Sequence, residues 1–273
     1  MPIYILFAII ITACFLWYLR KRIIANKHSQ LFATPLSADW ITLLEDNVSL
    51  YSRLPKTLKV QLHGCIQIFL AEKEFVGRGI NITQKIRLTI AGNACMLLLQ
   101  GQKRSFPGFT SVLVYPDTYV AKQISQNGSL EAIEDSHRAG ESWFRGPIVL
   151  SWGDALRGSL NAKDGHNVVI HEFAHKLDEQ SGNMNGLPVL RKNADYSEWA
   201  KVLGEEFDGL KYRSQRGKNS VIDNYGTVSP AEFFAVASES FFEKPKQMKK
   251  KLPDLYIQLN RFYNIDPASW SSE

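Results

Sequence analysis

The spacing of apolar residues divides most of this chain into predicted helices. In "LPKTLKVQLHGCIQIFLAEK" (residues 54–73), Leu58, Leu62, Ile66 and Phe69 recur at the spacing of one helix face, and a proline stands near the start. The same reasoning, with a serine cap before the first segment, predicts further helices at 37–47, 83–100, 166–178, 194–208, 229–243 and 252–263.

Shorter runs rich in β-branched residues predict strands. The segments "FTSVLVYP" (109–116) and "GPIVLSW" (146–152) are bounded by turn residues, and "FVGRGINIT" (75–83) is predicted to be extended. Two or three strands therefore precede the helix at 166–178, and mostly helices follow it. This order predicts an α+β domain with a small sheet rather than alternating βαβ units.

The first segment has no polar face. Residues 3–19, "IYILFAIIITACFLWYL", carry no charge, and as a helix they would reach roughly 25 Å, the short end of a bilayer crossing. The basic residues at 20–22 follow the apolar run, which predicts an uncleaved single-pass anchor in the inner membrane with the body in the cytoplasm. A buried or interfacial helix and a removed signal sequence are the alternatives.

The chain is therefore predicted to contain two units. Residues 1–27 form the anchor and its basic flank, residues 28–273 form one domain, and residues 23–35 are a loose lead-in or linker between them. With 273 residues and 45% hydrophobic content, the chain is long enough for a real core.

Charge and cysteine content exclude two classes of protein. The net charge is +5, but the four basic residues of the anchor flank supply most of it, so no basic surface for direct nucleic-acid binding is predicted. The three cysteines show no Cys-x-x-Cys spacing, which argues against a disulfide framework and fits a reducing compartment.

The segment "NVVIHEFAHKLDEQSGN" (167–183) carries the candidate chemistry. On a helix, His171 and His175 lie one turn apart on the same face, so both imidazoles can bind one zinc ion. Glu172 lies about 100° further around the helix, beside the metal, where it can take a proton from an attacking water. The alternative is an ordinary helix with two surface histidines.

A catalytic zinc needs a third protein ligand. No histidine follows His175, so the ligand is either an acid on a downstream helix or an upstream histidine. The apolar segment "SPAEFFAVASESFF" (229–242) offers Glu232 and Glu239, which are seven residues apart and share a helix face. Glu232 could bind zinc while Glu239 could orient a ligand histidine.

Several stretches make the resemblance to a known family specific. The segments "RGPIVLSW", "HEFAHKLD", "NG", "DNYG" and "SPAEFFAVASESFF" resemble the Mlc titration factor A family of zinc peptidases and span most of residues 36–265. That family in turn resembles the catalytic domain of anthrax lethal factor, where a tyrosine precedes the glutamate ligand by seven residues. Tyr225 precedes Glu232 by seven residues here.

The resemblance implies a zincin-like metallopeptidase domain with mostly helices after a small sheet. It implies that His171, His175 and Glu232 bind Zn2+, that Glu172 is the general base, and that Tyr225 stabilises the transition state. The predicted function is hydrolysis of peptide or protein substrates, with aminopeptidase-like activity as one form. The family is also implied to bind a transcriptional repressor of sugar uptake. A zinc-containing binding module that sequesters such a regulator is therefore the alternative function.

Two further expectations concern the surroundings of the site. Asp178, three residues after His175, could accept a proton from a ligand imidazole or could be a helix-end charge. A peptide substrate would pair with an exposed edge strand, and the strand at 146–152 is our choice, with a plain core strand as the equal alternative.

Overall fold

The protein is described from a computed structural model, over residues 2–100, 105–117, 119–120, 137–138, 140–142, 146–192 and 195–270. Its helices are α1 (Pro2–Ala33), α2 (Ala38–Asn47), α3 (Ser49–Ser52), α4 (Lys56–Glu72), α5 (Gln84–Met96), α6 (Trp152–Leu160), α7 (Val168–Asp178), α8 (Asp195–Gln215), α9 (Pro230–Glu243), α10 (Pro245–Lys251) and α11 (Pro253–Tyr263). Its strands are β1 (Glu74–Gly77), β2 (Ser111–Tyr115), β3 (Tyr119–Val120), β4 (His137–Arg138), β5 (Gly140–Ser142) and β6 (Ile148–Ser151).

The predicted order of elements is confirmed within these ranges. Every described strand precedes α7, and helices follow it, so the fold is mostly helical with a small sheet. Each segment predicted to be helical contains a helix, although α8 runs several residues beyond the predicted end at 208.

The main sheet has the strand order β1-β2-β6-β5. The strands β1, β2 and β6 are parallel, while β5 pairs antiparallel with β6. Because β1 and β2 are parallel neighbours with α5 between them, they form one βαβ unit, which the prediction of a fold without such units missed. Parallel pairing joins segments that are distant along the chain, and the residue pattern within a single strand does not predict it.

The prediction that residues 146–152 form an edge strand is wrong. The strand β6 lies between β2 and β5, and all four of its residues are buried. This is the core-strand alternative, and its continuous apolar run suits a strand covered on both faces. Among the described strands, β5 forms that edge of the sheet.

The core is built around α5 and α7. Residues 88–96 of α5 are buried without interruption, so α5 is a central helix covered on all sides. The helix α7 packs against α5 and α9 and also contacts β5 and β6. The ring of Phe173 on α7 lies 5.5 Å from that of Phe69 on α4 and 4.9 Å from that of Phe106, which joins these layers in one aromatic cluster.

The prediction of a loose lead-in at 23–35 is wrong. The helix α1 continues to Ala33, and its last turns pack against α4. His28 Nε2 lies 2.6 Å from Glu72 Oε1, and the ring of Phe32 covers Gly64 so closely that a Cβ there would overlap it. The helix is long and apolar enough to cross a membrane, and residues 4–26 are exposed. The predicted boundary after residue 27 falls inside this helix, and the division into two units stays a prediction.

Candidate metal centre

The helix α7 is positioned by its cap and by its buried face. Asn167 precedes it and accepts a hydrogen bond from the backbone N–H of Ile170 (3.1 Å), as an N-cap residue does. Phe173 lies fully buried on the face toward the aromatic cluster. The face toward α9 carries His171 and His175, whose rings meet edge to face at 4.9 Å between centroids.

The helix α9 brings an acidic side chain to the same point. Ser229 caps α9 by accepting a hydrogen bond from the backbone N–H of Glu232 (3.2 Å), and Pro230 occupies the first turn. From that position the Glu232 carboxylate reaches the two histidines on α7.

Three donor atoms converge between the helices. His171 Nε2 lies 2.9 Å from Glu232 Oε2, His175 Nε2 lies 3.3 Å from the same oxygen, and the two nitrogens are 3.2 Å apart. These three residues form a group that could hold a metal ion. The structure thus brings together the three residues that the family resemblance implied as zinc ligands.

The charges around this cluster favour a cation. Burial disfavours a charged imidazole at His171, yet hydrogen bonds to Glu232 and Glu239 hold the pKa of His171 well above its ordinary value. Burial likewise opposes ionisation of Glu232, but hydrogen bonds from His171 and His175 hold the pKa of Glu232 well below its ordinary value. A metal ion bound to these atoms would take the place of a proton, so metal binding would be coupled to proton release.

A hydrogen-bond network lies behind His171. Its Nδ1 lies 2.8 Å from Glu239 Oε1, and the other oxygen of Glu239 accepts the backbone N–H of Asn167. Glu239 is 4% exposed and sits where the sequence predicted a residue that orients a ligand histidine.

The two candidate catalytic side chains both lie near His171: the charge of Glu172 helps to raise the pKa of His171, and the Tyr225 ring approaches the His171 ring. Glu172 is 4% exposed on α7, between the two histidines in sequence. Tyr225 lies in a short 3₁₀ turn before α9, is 53% exposed, and has its ring centroid 5.9 Å from that of His171.

Asp178 has a contact that the sequence did not indicate. Its side chain is buried, and Oδ2 accepts the backbone N–H of Gly186 at 2.7 Å. Burial raises the pKa of Asp178, while that hydrogen bond and the nearby His175 oppose the rise. Among the described residues, neither Asp178 Oδ1 nor His175 Nδ1 has a hydrogen-bond partner, so no hydrogen bond joins the two side chains.

Comparison with known proteins identifies the family. Residues 20–264 match the profile of the glucose-regulated metallo-peptidase M90 family. The chain belongs to this family. The match includes α4 to α9 and therefore every residue of the cluster, and it begins just after the apolar run of α1.

Two relatives are similar to this chain over most of its length. An uncharacterized protein of Synechocystis sp., slr2042, is 38% identical over 244 residues, which are 88% of this chain and 89% of that protein. The Mlc titration factor A of Yersinia pestis is 31% identical over 237 residues, which are 85% of this chain and 86% of that protein. The resemblance inferred from the motifs is confirmed, and M90 membership implies a metal, which the cluster could hold.

Sequence reasoning missed three buried polar residues on α7, on α9 and at the start of α7. Asn167 donates from Nδ2 to Asn93 Oδ1 (3.0 Å) and to Glu243 Oε1 (3.2 Å), which ties the start of α7 to α5 and α9. Lys176, fully buried, donates to the Gly146 carbonyl at 3.1 Å and pairs with Glu179, also at 3.1 Å. An asparagine before an apolar helix is a recognisable cap signal, but no local signal indicates that Glu243 or Lys176 is buried.

Proposed function

We propose that this protein is a zinc-dependent peptidase tethered by α1 to the cytoplasmic face of the inner membrane. The observation that carries the proposal is the triangle of donor atoms, with sides of 2.9, 3.2 and 3.3 Å. A tetrahedral zinc ion with bonds of about 2.0–2.1 Å holds its donors roughly 3.3–3.4 Å apart. Two imidazoles and one carboxylate are also a donor set that catalytic zinc uses, with a fourth position left open.

When bound, zinc supplies Lewis acidity, which makes water nucleophilic near neutral pH and polarises a carbonyl group. The chain's own residues orient the ligands, transfer the proton and stabilise the oxyanion. Glu239 accepts a hydrogen bond from Nδ1 of His171, which leaves the Nε2 lone pair free to bind metal. Glu172 takes a proton from the attacking water and returns it to the leaving amine. The Tyr225 hydroxyl donates a hydrogen bond to the developing oxyanion without adding charge.

The sheet supports a position for an extended substrate. The strand β5 forms one edge of the described sheet and contacts α7, which carries two of the proposed ligands. An extended peptide added to this edge would have its backbone hydrogen bonds satisfied beside the cluster. In this proposal β5 replaces β6 as the strand that pairs with the substrate.

The test is the substitution Glu172→Gln in the full chain, purified in detergent. The amide keeps the shape of the side chain but cannot accept a proton. The variant should therefore retain zinc while hydrolysis of chromogenic amino-acid anilides falls by about 10²–10⁴-fold. Chelator should abolish the wild-type activity. Glu205→Gln, an exposed change on α8, should leave zinc content and hydrolysis at wild-type levels. Hydrolysis by Glu172→Gln at the wild-type rate would contradict the peptidase proposal.

The name of the Yersinia relative, Mlc titration factor A, supports a second function. In this second function, the same metal-containing fold sequesters a regulatory protein with little or no turnover. The two functions differ in the wild-type protein. Zinc-loaded wild type that hydrolyses anilides no faster than Glu172→Gln, yet binds a regulator, would favour sequestration.

A further inference from the structure

The loop after α7 approaches the start of α9 through the backbone of Gly186. Gly186 has a φ of +77°, in the left-handed region. A Cβ placed there would lie 2.5 Å from the carbonyl oxygen of Pro230 and 2.9 Å from its carbonyl carbon. Pro230 opens α9, two residues before Glu232. The Gly186 backbone therefore lies directly against the turn that presents the third proposed ligand.

Two buried side chains hold Gly186 in this position. Asp178, at the end of α7, accepts its N–H at 2.7 Å, and Trp199 on α8 donates from Nε1 to its carbonyl at 3.0 Å. Both side chains are almost completely buried. Both polar groups of the Gly186 residue are thus fixed by elements other than α9.

The geometry points to a positioning role for Asp178 and Gly186. Together they form a clamp that sets the distance between α7, with its two histidines, and the first turn of α9, with Glu232. This inference rests on the proposed metal site. It gives Asp178 a function that acts through the loop and Glu232, because no hydrogen bond joins Asp178 to His175 in the described part of the chain.

Contact distances and burial indicate which segment would move, the loop or the first turn of α9, if residue 186 carried a side chain. Ordinary contact begins at 3.4 Å, so a methyl group at 186 must push the Pro230 carbonyl away by about 0.9 Å. The loop is held at both polar groups, whereas Pro230 is exposed and begins the less buried end of α9. The displacement therefore moves the first turn of α9, and it exceeds the roughly 0.5 Å within which a functional constellation must be held.

The loop contains a matched control for this substitution. Gly182 also has a positive φ, +100°, but no described residue lies within 4 Å of the position its Cβ would take. Gly182→Ala and Gly186→Ala both force alanine into the left-handed region, and only the second meets Pro230. Both variants should melt earlier than wild type in the metal-free form.

The experiment measures zinc affinity of the full chain in detergent by competition with a chromophoric chelator. We expect Gly186→Ala to bind zinc about 10- to 100-fold more weakly than Gly182→Ala, the range seen when a supporting contact is lost. The visible spectrum of the cobalt-loaded protein should change for Gly186→Ala and stay as in wild type for Gly182→Ala, because ligand geometry alters only in the first.

A second pair of variants keeps the inference testable if Gly186→Ala does not fold. Asp178→Asn retains an oxygen that can accept the Gly186 N–H, and Asp178→Ala does not. Zinc affinity should fall in Asp178→Ala and recover in Asp178→Asn. Equal losses in both would show that Asp178 acts by charge and would overturn the clamp. So would equal zinc affinity in the two glycine variants. A wild-type protein that binds no zinc would instead overturn the proposed function, and the clamp with it.

Discussion

Three glutamates on α9 occupy three different environments. Glu232 is partly exposed and faces two imidazoles, whereas Glu239 and Glu243 are buried at 4% and 3% exposure. Glu239 meets a ring nitrogen of His171, and Glu243 accepts the Gly165 N–H at 2.9 Å. One residue type thus serves as a proposed ligand, as a support for a proposed ligand and as a buried acid at three positions of one helix.

Alanine substitution should separate the first two of these roles. Glu232→Ala removes a donor atom of the triangle and should lose most bound zinc, because two imidazoles alone hold the ion weakly. Glu239→Ala leaves all three donors and should weaken zinc binding by about 10- to 100-fold. Zinc content after dialysis and chelator competition measure both effects, with Glu205→Ala as an exposed control. The reverse order of effects would show that the two carboxylates have been assigned the wrong way round.

The raised pKa of Glu243 predicts how the free energy of unfolding depends on pH. Burial raises its pKa to about 8, the hydrogen bond from Asn167 opposes the rise, and the charge of Glu239 adds to it. In the unfolded chain the same carboxyl titrates near 4.5. Between these values the native protein keeps a proton that the unfolded chain has released, so this group lowers the free energy of unfolding as pH rises. The loss is complete once the pH exceeds about 8.

Glu243→Gln cannot titrate and should escape this loss. Its free energy of unfolding, minus that of wild type, should increase by about 1.4 kcal/mol per pH unit between roughly pH 5 and 8 and level off above that. Denaturant unfolding of both proteins in detergent across pH 5–9 gives the difference, in which titration of all other groups largely cancels. A difference independent of pH would mean that Glu243 ionises normally in the native protein.

At the scale of elements, the contact between α1 and α4 is the feature most open to test. Gly64→Ala puts a methyl group into the space occupied by the Phe32 ring, and the last turns of α1 should separate from α4. Gly204→Ala is the matched helical control on α8, since no described residue lies within 4 Å of its Cβ position. Limited proteolysis at residues 34–37 should become faster in Gly64→Ala and stay unchanged in Gly204→Ala. Equal cleavage rates would show that Phe32 does not hold α1 in place.

At the scale of the whole molecule, α1 combines an exposed apolar half with a docked end. The segment from residue 20 to residue 28 spans roughly 12 Å as a helix, so the docked body would stand close to the bilayer surface. The full chain should sediment with membranes and resist extraction by salt and alkali. Protease added from the periplasmic side should leave the body intact. Digestion from that side would show that the body faces the periplasm, opposite to the proposed orientation. Extraction by alkali would show that α1 does not anchor the protein in the membrane.

Local periodicity was sufficient wherever the relevant geometry lies within one element. Residues four apart on a helix share a face whatever surrounds them, so the spacing of His171 and His175 predicted their convergence. The apolar faces of α4 and α9 and the strand character of β2 and β6 are likewise properties of single segments, and the structure confirms them.

Contacts between distant segments are where sequence reasoning failed or stayed open. Glu232 and Glu239 share a face of α9, so their spacing could not separate them, and it is the packing of α9 against α7 that puts the first beside two Nε2 atoms and the second behind His171. The strand β6 is an interior strand because β5 pairs with it on the side away from β2. The contact of Asp178 depends on a loop glycine eight residues away. Each of these follows from the free energy of packing several elements together, which no single segment of the chain encodes.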